Sequence, residues 1–499
     1  MFYPKRLLLL GFFLISLCGC TSITTTAPTE TTTAATMTTA TVLTLPETTT
    51  REQVTTEIPT TTRNYPQFNQ PFGFASLGVG DRSGIIEGCY VVSTALQLLD
   101  ALMAEDVAVI EIDTDLDLGS LAVETELLQA GKTLFEYRSV YRPHGNQALL
   151  HPVLKASGVG VLRIIQKDGL TIYSKSGHQI KHASINIDGS NDIVIRNLYL
   201  SELWEWDELD SLQYKRNDWD YILIEKSQNI WLDHLKFAQA YDGIMDIKED
   251  SANITLSWSE LVFKPDAFIE AQIDYLEANR AENTYYDSLR EEGISQADIE
   301  ILASFQKKGF NFGNTTDGEG YESITVTFHH LRVENLQDRF PRIRKGDVHL
   351  YSVSLDNQDL YSFQLRVNSS LVSLVNQGIV TTEQGAVLME NSRFSYVQTP
   401  IKNHQDSNPD TSYTGKYKVI DSELVTVSRT YFGSSEGGIV YWIHTGSATK
   451  LDFAFRNHET IPYQYQLEDI YYLDETFGLF PPAPQQLEGF DWTYIATDE

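Results

Sequence analysis

The chain has 499 residues, with 37 Lys plus Arg against 68 Asp plus Glu and a formal net charge of −31. That balance argues against nucleic acid and against an electrostatically held membrane surface as partners. With 26 Tyr, 23 Phe and many short Ile/Val/Leu runs bounded by Asn, Asp, Ser and Gly, the composition favours strands, and the length is sufficient for a sizeable core.

At the N-terminus, Lys5 and Arg6 precede an apolar run from Leu7 to Leu17, followed by Cys18-Gly19-Cys20. The run is too short for the ~20 residues that cross a hydrocarbon core, so residues 1–19 are expected to be a signal peptide. Leu17-Cys18-Gly19-Cys20 resembles a bacterial lipobox, which implies lipidation of Cys20 and a chain anchored at the bacterial cell surface; ordinary secretion is the alternative. From Thr21 to Arg63, 21 of 43 residues are Thr and none is aromatic. Such a stretch cannot bury enough surface to fold, and residues 20–65 are expected to be an extended linker. The folded part, 66–499, keeps only Cys89, so no disulfide framework supports it. The membrane is then reached through the lipid anchor alone, and a monomer is expected.

Within that part the informative signal is a repeat. Segments starting at Ile193, Ile230, Ile254, Ile324 and Val348 overlay without gaps, at intervals of 37, 24, 70 and 24 residues. A strand unit recurring at about 24 residues, with insertions in the longer intervals, points to stacked coils rather than to alternating strands and helices. The fold class is therefore all-β, a parallel β-helix. In phase with the repeat lie Asp220, Asp242 and Asp246, followed by Arg339 and Arg344. Coils stacked at about 4.8 Å would project these groups from one face. Clustered carboxylates repel unless a cation sits among them, and hard Ca²⁺ prefers such oxygen ligands. A solvated charged face is the other reading of the same pattern.

The stretches DWDYILIEKSQNIWLDH (218–234) and YDGIMDIKEDSANITLS (241–257) resemble the core of the pectate lyases of polysaccharide lyase family 1. RFPRIRKGDVHLY (339–351) resembles that family's Arg-x-Pro-x-x-Arg segment, and GFASLG (73–78), IVIRNL (193–198) and VLMENSRFSYVQTPI (387–401) extend the likeness. The resemblance implies a right-handed parallel β-helix and calcium-dependent cleavage of polygalacturonate by β-elimination to unsaturated oligogalacturonides. It implies Asp220, Asp242 and Asp246 as calcium ligands, with Asp218 a fourth that some members use. Arg339 matches the Brønsted base that removes the proton at C5, and Arg344 the arginine that binds the substrate carboxylate. A guanidinium has a free pKa above ~12, so the base assignment requires a neighbouring cation to depress it. No secure role attaches to Arg342, for which an outward surface or salt-bridge place is expected.

The family's substrate-binding lysine has a glycine five residues on. Lys308-Gly-Phe-Asn-Phe-Gly313 reproduces that spacing, whereas Lys264 stands nearer the usual position. Choosing Lys308 implies an insertion over 265–307; Ile269, Ile273 and Leu276 at helical spacing and a Ser295/Asp298 capping box predict two helices in it. His234, despite its catalytic look, is expected to be structural. Ser352-Val353 replaces the family's paired Asn, which would interrupt an asparagine stack there, and 426–499 carries no functional motif. Two alternatives stay open: a non-catalytic pectin-binding surface lipoprotein, or a pectin lyase acting on methyl-esterified substrate.

Overall fold

The computed structural model describes residues 68–493 apart from 83–84, 86, 146–148, 150, 314–318, 368–369, 372–373, 405–409, 426–429, 433–450, 488–489 and 491. The expected signal peptide and linker, with Cys20, lie outside the described residues. So do 494–499. Among the described residues no helix is long and apolar enough to cross a membrane.

Three sheets of ten, ten and nine strands, almost wholly parallel, form the faces of a solenoid. The chain visits them in turn. For example, Ala183–Asp188 lies in sheet C, Asn191–Arg196 in sheet A, Tyr199–Ser201 in sheet B, and Ile222–Glu225 in sheet C again, one coil on. This is the parallel β-helix that the repeat predicted, right-handed as the resemblance implied. Ile193, Ile230, Ile254, Val326, Val348 and Val387 stand in one row across sheet A. All six are buried, so each coil covers the apolar face of the next. The repeat reading needs one correction: Val326, not Ile324, pairs with Ile254 and Val348. The slip is two residues, one full side-chain period of a strand, so both alignments put the same face inward and periodicity alone cannot separate them.

Between sheets A and B the corner is a single residue in the left-handed conformation: Asn197, His234, Trp258, His330, Ser352 and Asn391, with φ between 41° and 54°. That conformation is costly for any residue with a Cβ, and the side chains stack along the corner. Trp258 lies face to face with His330 at 4.1 Å and with His234 at 6.1 Å. His234 Nδ1 is also hydrogen-bonded to the buried Asp233 carboxylate at 2.7 Å, which Arg196 and Ser257 hold as well. An asparagine ladder does exist, at the opposite end of the sheet A strands, where Asn253 donates to Asn229 and Asn229 to Asn191.

A helix, Ala95–Met103, buries Leu98, Leu99 and Leu102 at the N-terminal end of the solenoid. The region after 450 runs back along the outer face of sheet A. Asp347 accepts from the backbone N–H groups of Arg456 and Asn457, the Tyr463 hydroxyl meets Thr327 and His349, and Trp492 packs on Arg196. These contacts cover part of a sheet face that would otherwise be wet.

The insertion contains three helices, Ala267–Ala278, Thr284–Glu291 and Gln296–Ser304, not two. The outer two begin at local caps, Asp266 and Ser295. Thr284–Glu291 has no cap of its own. Its first N–H groups, from Tyr285 and Tyr286, donate to the Glu208 carboxylate, 77 and 78 residues earlier in the chain. A helix start supplied from that distance leaves no trace in the neighbouring sequence.

Candidate active site

The corner between sheets B and C is the wide one. Its connections include 202–221, 238–244, the whole insertion, 335–341 and 357–376, and the sequence-predicted site residues come from these loops and from the short sheet C strands they enter. Coils approach closely here. A Cβ on Gly243 would stand 2.6 Å from Asp220 Oδ1, and one on Gly309 would stand 2.5 Å from the Arg339 carbonyl oxygen. The Gly243 N–H donates to Asp220 at 2.7 Å, and Phe310 N–H donates to the Arg339 carbonyl at 2.8 Å.

Asp218, Asp220 and Asp242 each offer a carboxylate oxygen within 4.8 Å of the others. Asp218 is exposed, Asp242 half-buried and Asp220 buried. Burial, then the charges of Asp246, Asp242 and Asp218, hold the Asp220 carboxyl well above the usual carboxylate range. Asp246 stands beside this group on the strand Met245–Ile247, accepts from Asn311 Nδ2 at 3.2 Å, and is pushed up to about 6 by its burial. Asp220 and Asp246, raised by burial and by the carboxylates around them, sit in a group whose charged state needs a cation. Oxygen donors at this spacing suit a hard divalent ion.

Lys308 brings its ammonium onto Asp242 Oδ1. Lys264 pairs instead with Glu334 at 2.6 Å, on the strand Arg332–Glu334 of sheet B. The next coil supplies guanidiniums. Arg339 lies just before the strand Arg342–Arg344, with φ 68°, and its charge acts on Asp246. Arg344 is buried, donates to the Gly313 carbonyl at 2.7 Å and stands 3.3 Å from Glu383; burial lowers its pKa.

Cross-strand register adds a residue to which sequence reading gave no place in the site. Asp246 pairs with Asn311, and Asn311 with Arg342. Ile343 is buried inward, so Arg342 and Arg344 both point outward from their strand. Arg342 therefore continues the row of Asp246 two coils on. Burial, then the charges of Arg344 and Arg339, bring it down to about 10. The second unanticipated contributor is Gln306, whose Nε2 donates to the carbonyls of Asp242 and Lys308 and ties their loops together. The signal for Arg342 was present in the alternation of RIR, but the row it joins is set by pairing between coils.

The arrangement is thus a ring of carboxylates facing one lysine and three arginines along one corner of a solenoid. Over 317 residues the chain is 39% identical to pectate lyase B of Paenibacillus amylolyticus, an overlap that spans 60% of this chain and 78% of that protein. The chain belongs to the pectate lyase family. The family's model, described as pectate lyase, matches residues 164–275 and 294–428, and the gap between the two parts falls within the helical insertion. The structure of a pectate lyase from Paenibacillus sp. 0602 shares a TM-score of 0.74 and 33% identity with it, covering 86% of this chain and 99% of that one. A pectate trisaccharide-lyase of Thermotoga maritima is 26% identical over 200 residues, 40% of this chain and 41% of that protein. The matched parts contain the proposed catalytic and metal-binding residues of this pectate lyase, Asp218, Asp220, Asp242, Asp246, Lys308, Arg339 and Arg344.

Proposed function

We propose that this pectate lyase requires calcium and cleaves polygalacturonate by β-elimination, giving unsaturated oligogalacturonides. The observation that carries the reading is the convergence of Asp218, Asp220 and Asp242 within 4.8 Å, opposite Lys308 and the arginine strand. A protein of net charge −31 repels a polyanion overall, so a local reversal of sign is required where the substrate binds.

Asp218, Asp220, Asp242 and Asp246 would hold Ca²⁺, which when bound would supply positive charge that neutralises a substrate carboxylate and acidifies the adjacent C5 proton. The protein's own residues supply the remainder. Arg344 presents a planar fork to a carboxylate, and Lys308 a point charge. Arg339, in its neutral form, takes the C5 proton; the C5–H electron pair forms the C4–C5 double bond as the C4–O bond breaks. The departing oxygen gains a proton from solvent. Loss of that proton from a guanidinium requires alkaline conditions, so the optimum lies above neutrality.

Incubation with polygalacturonate, with and without chelator, tests this through the ultraviolet absorbance of the unsaturated product. Turnover that persists in full with chelator would refute calcium dependence. Activity only on methyl-esterified pectin would reassign the substrate. The N-terminal reading, an exported protein anchored through Cys20, is tested by Cys20→Ser, which should release the enzyme from cells into the medium.

A further inference from the structure

Lys307 and Lys308 are adjacent, yet they serve opposite sides of the corner. Lys308 reaches Asp242, while the Lys307 ammonium donates to the Leu212 carbonyl at 2.7 Å and lies 5.4 Å over the Tyr214 ring. Around Lys307 is a pocket of about 290 Å³, walled by Tyr214, Tyr285, Leu302, Phe305 and Leu365, with Gln337 at its margin. Its walls come from the connections 202–221, 263–309, 335–341 and 357–376, the same sheet B to sheet C loops that deliver the candidate catalytic groups. The partition between pocket and carboxylate ring is short: Gln337 donates its backbone N–H to Gln306, and Gln306 donates to Asp242 and Lys308.

The chemistry of the pocket is specific. It is lined by one amine, Lys307, and no carboxylate; burial lowers that amine to about 8, so it is charged at neutral pH, and a bound anion would favour the charged form as pH rises. An ammonium has three donors, and Leu212 takes one of them here. A purely apolar occupant would strip water from that ammonium without replacing it, at a cost in free energy. An anion restores the lost interactions, and the aromatic and leucine walls match an apolar ring face. The insertion, absent from the matched part of the family model between 275 and 294, contributes Tyr285.

We propose that this pocket is an outer subsite of the cleft that takes a galacturonate ring of the polymer, its carboxylate on Lys307 and its ring face on the tyrosine and leucine walls. The inference rests on polygalacturonate being the substrate. It gives the insertion a function, the recognition of chain length.

The test compares a saturated galacturonate trimer with an octamer in calcium, for the wild type, Lys307→Gln and the pocket-filling Leu302→Trp. Turnover is read by absorbance and binding by calorimetry. The ratio of octamer to trimer kcat/KM should fall about tenfold in Lys307→Gln, the scale of one hydrogen bond to a charged group, and Leu302→Trp should lose the same preference. An unchanged ratio in both variants overturns the subsite. So does an equal fall for both lengths, which would mean that Lys307 only supports Lys308. An esterified octamer bound as well as the free acid, and unaffected by Lys307→Gln, would mean that a neutral ring occupies the pocket and would overturn the uronate assignment. A wild type that binds the octamer without cleaving it refutes the catalytic reading instead, and the calorimetric ratio then decides the subsite by itself.

Discussion

Lys308 and Asp242, 66 residues apart in sequence, form an ion pair at the mouth of the carboxylate ring. A lysine on a prospective metal ligand competes with the metal, so the two states of the site differ in where Lys308 points. Lys308→Ala should bind calcium slightly more tightly in the absence of substrate, by about 1 kcal/mol or less as for other partly exposed pairs, while losing most turnover. Lys264→Ala should change neither, because Lys264 is held by Glu334 on the neighbouring sheet. Calcium titration by calorimetry and steady-state rates on polygalacturonate decide this; the reverse ranking of the two lysines would show that the insertion lies on the other side of the functional one.

Asp246→Ala removes an acid from the ring without touching the inward core. The calcium concentration for half-maximal rate should rise about tenfold or more, with unchanged circular dichroism. Calcium dependence identical to that of the wild type would exclude Asp246 from the site.

The two arginines should separate by effect. Lys in place of Arg339 keeps the charge but lacks the planar geometry, so binding should survive while kcat falls at least ~100-fold, or about 3 kcal/mol of barrier. Arg344→Lys should chiefly raise KM, because a bidentate contact is replaced by a single one. Near-normal turnover of Arg339→Lys across alkaline pH would transfer the role of base to another group.

His329 and His330 are buried against Trp258 and Tyr351, and burial holds both below the ordinary histidine range, His329 at about 3. The unfolded chain, with histidines titrating near ~6.5, then binds more protons than the folded one as pH falls from there toward 3. Stability should therefore be lost over that window, by about 1.4 kcal/mol per pH unit for each proton involved. His330→Phe, which retains a ring on Trp258, should flatten the slope of Tm against pH between 6 and 4; a slope equal to that of the wild type would remove His330 from the account.

Glu208 caps the middle insertion helix through Tyr285 and Tyr286. Glu208→Ala should cost about 1–2 kcal/mol, read as a fall in unfolding midpoint, and should accelerate amide exchange at 284–291 before it does so in the sheets. Uniform exchange throughout would mean that the helix does not depend on this cap.

The coils and the acid cluster were legible in the sequence because both depend on local spacing. An apolar row at Ile193, Ile230 and Ile254 requires only that each strand alternate, and DWD followed by YDGIMD brings carboxylates to the same corner whenever the coil length is constant. The place of Lys308 beside Asp242 was also legible through the glycine five residues on, since Gly313, at φ 84°, leaves room for Arg344 on the next coil.

Tertiary structure decided what lies between coils. Val326 replaced Ile324 in the sheet A row because a two-residue slip preserves the inward face, leaving loop packing to choose the register. Arg342 joined the site because its strand pairs with Asn311 and, through it, with Asp246. The corner stack of Trp258 with His234 and His330 forms because a ring that tolerates a left-handed turn can stack on its neighbour one coil away. The helix Thr284–Glu291 starts from a carboxylate contributed by a distant loop. Alternation and spacing are properties of one segment and can be read from it; register, stacking and borrowed caps are properties of two segments, fixed only when the chain has brought them together.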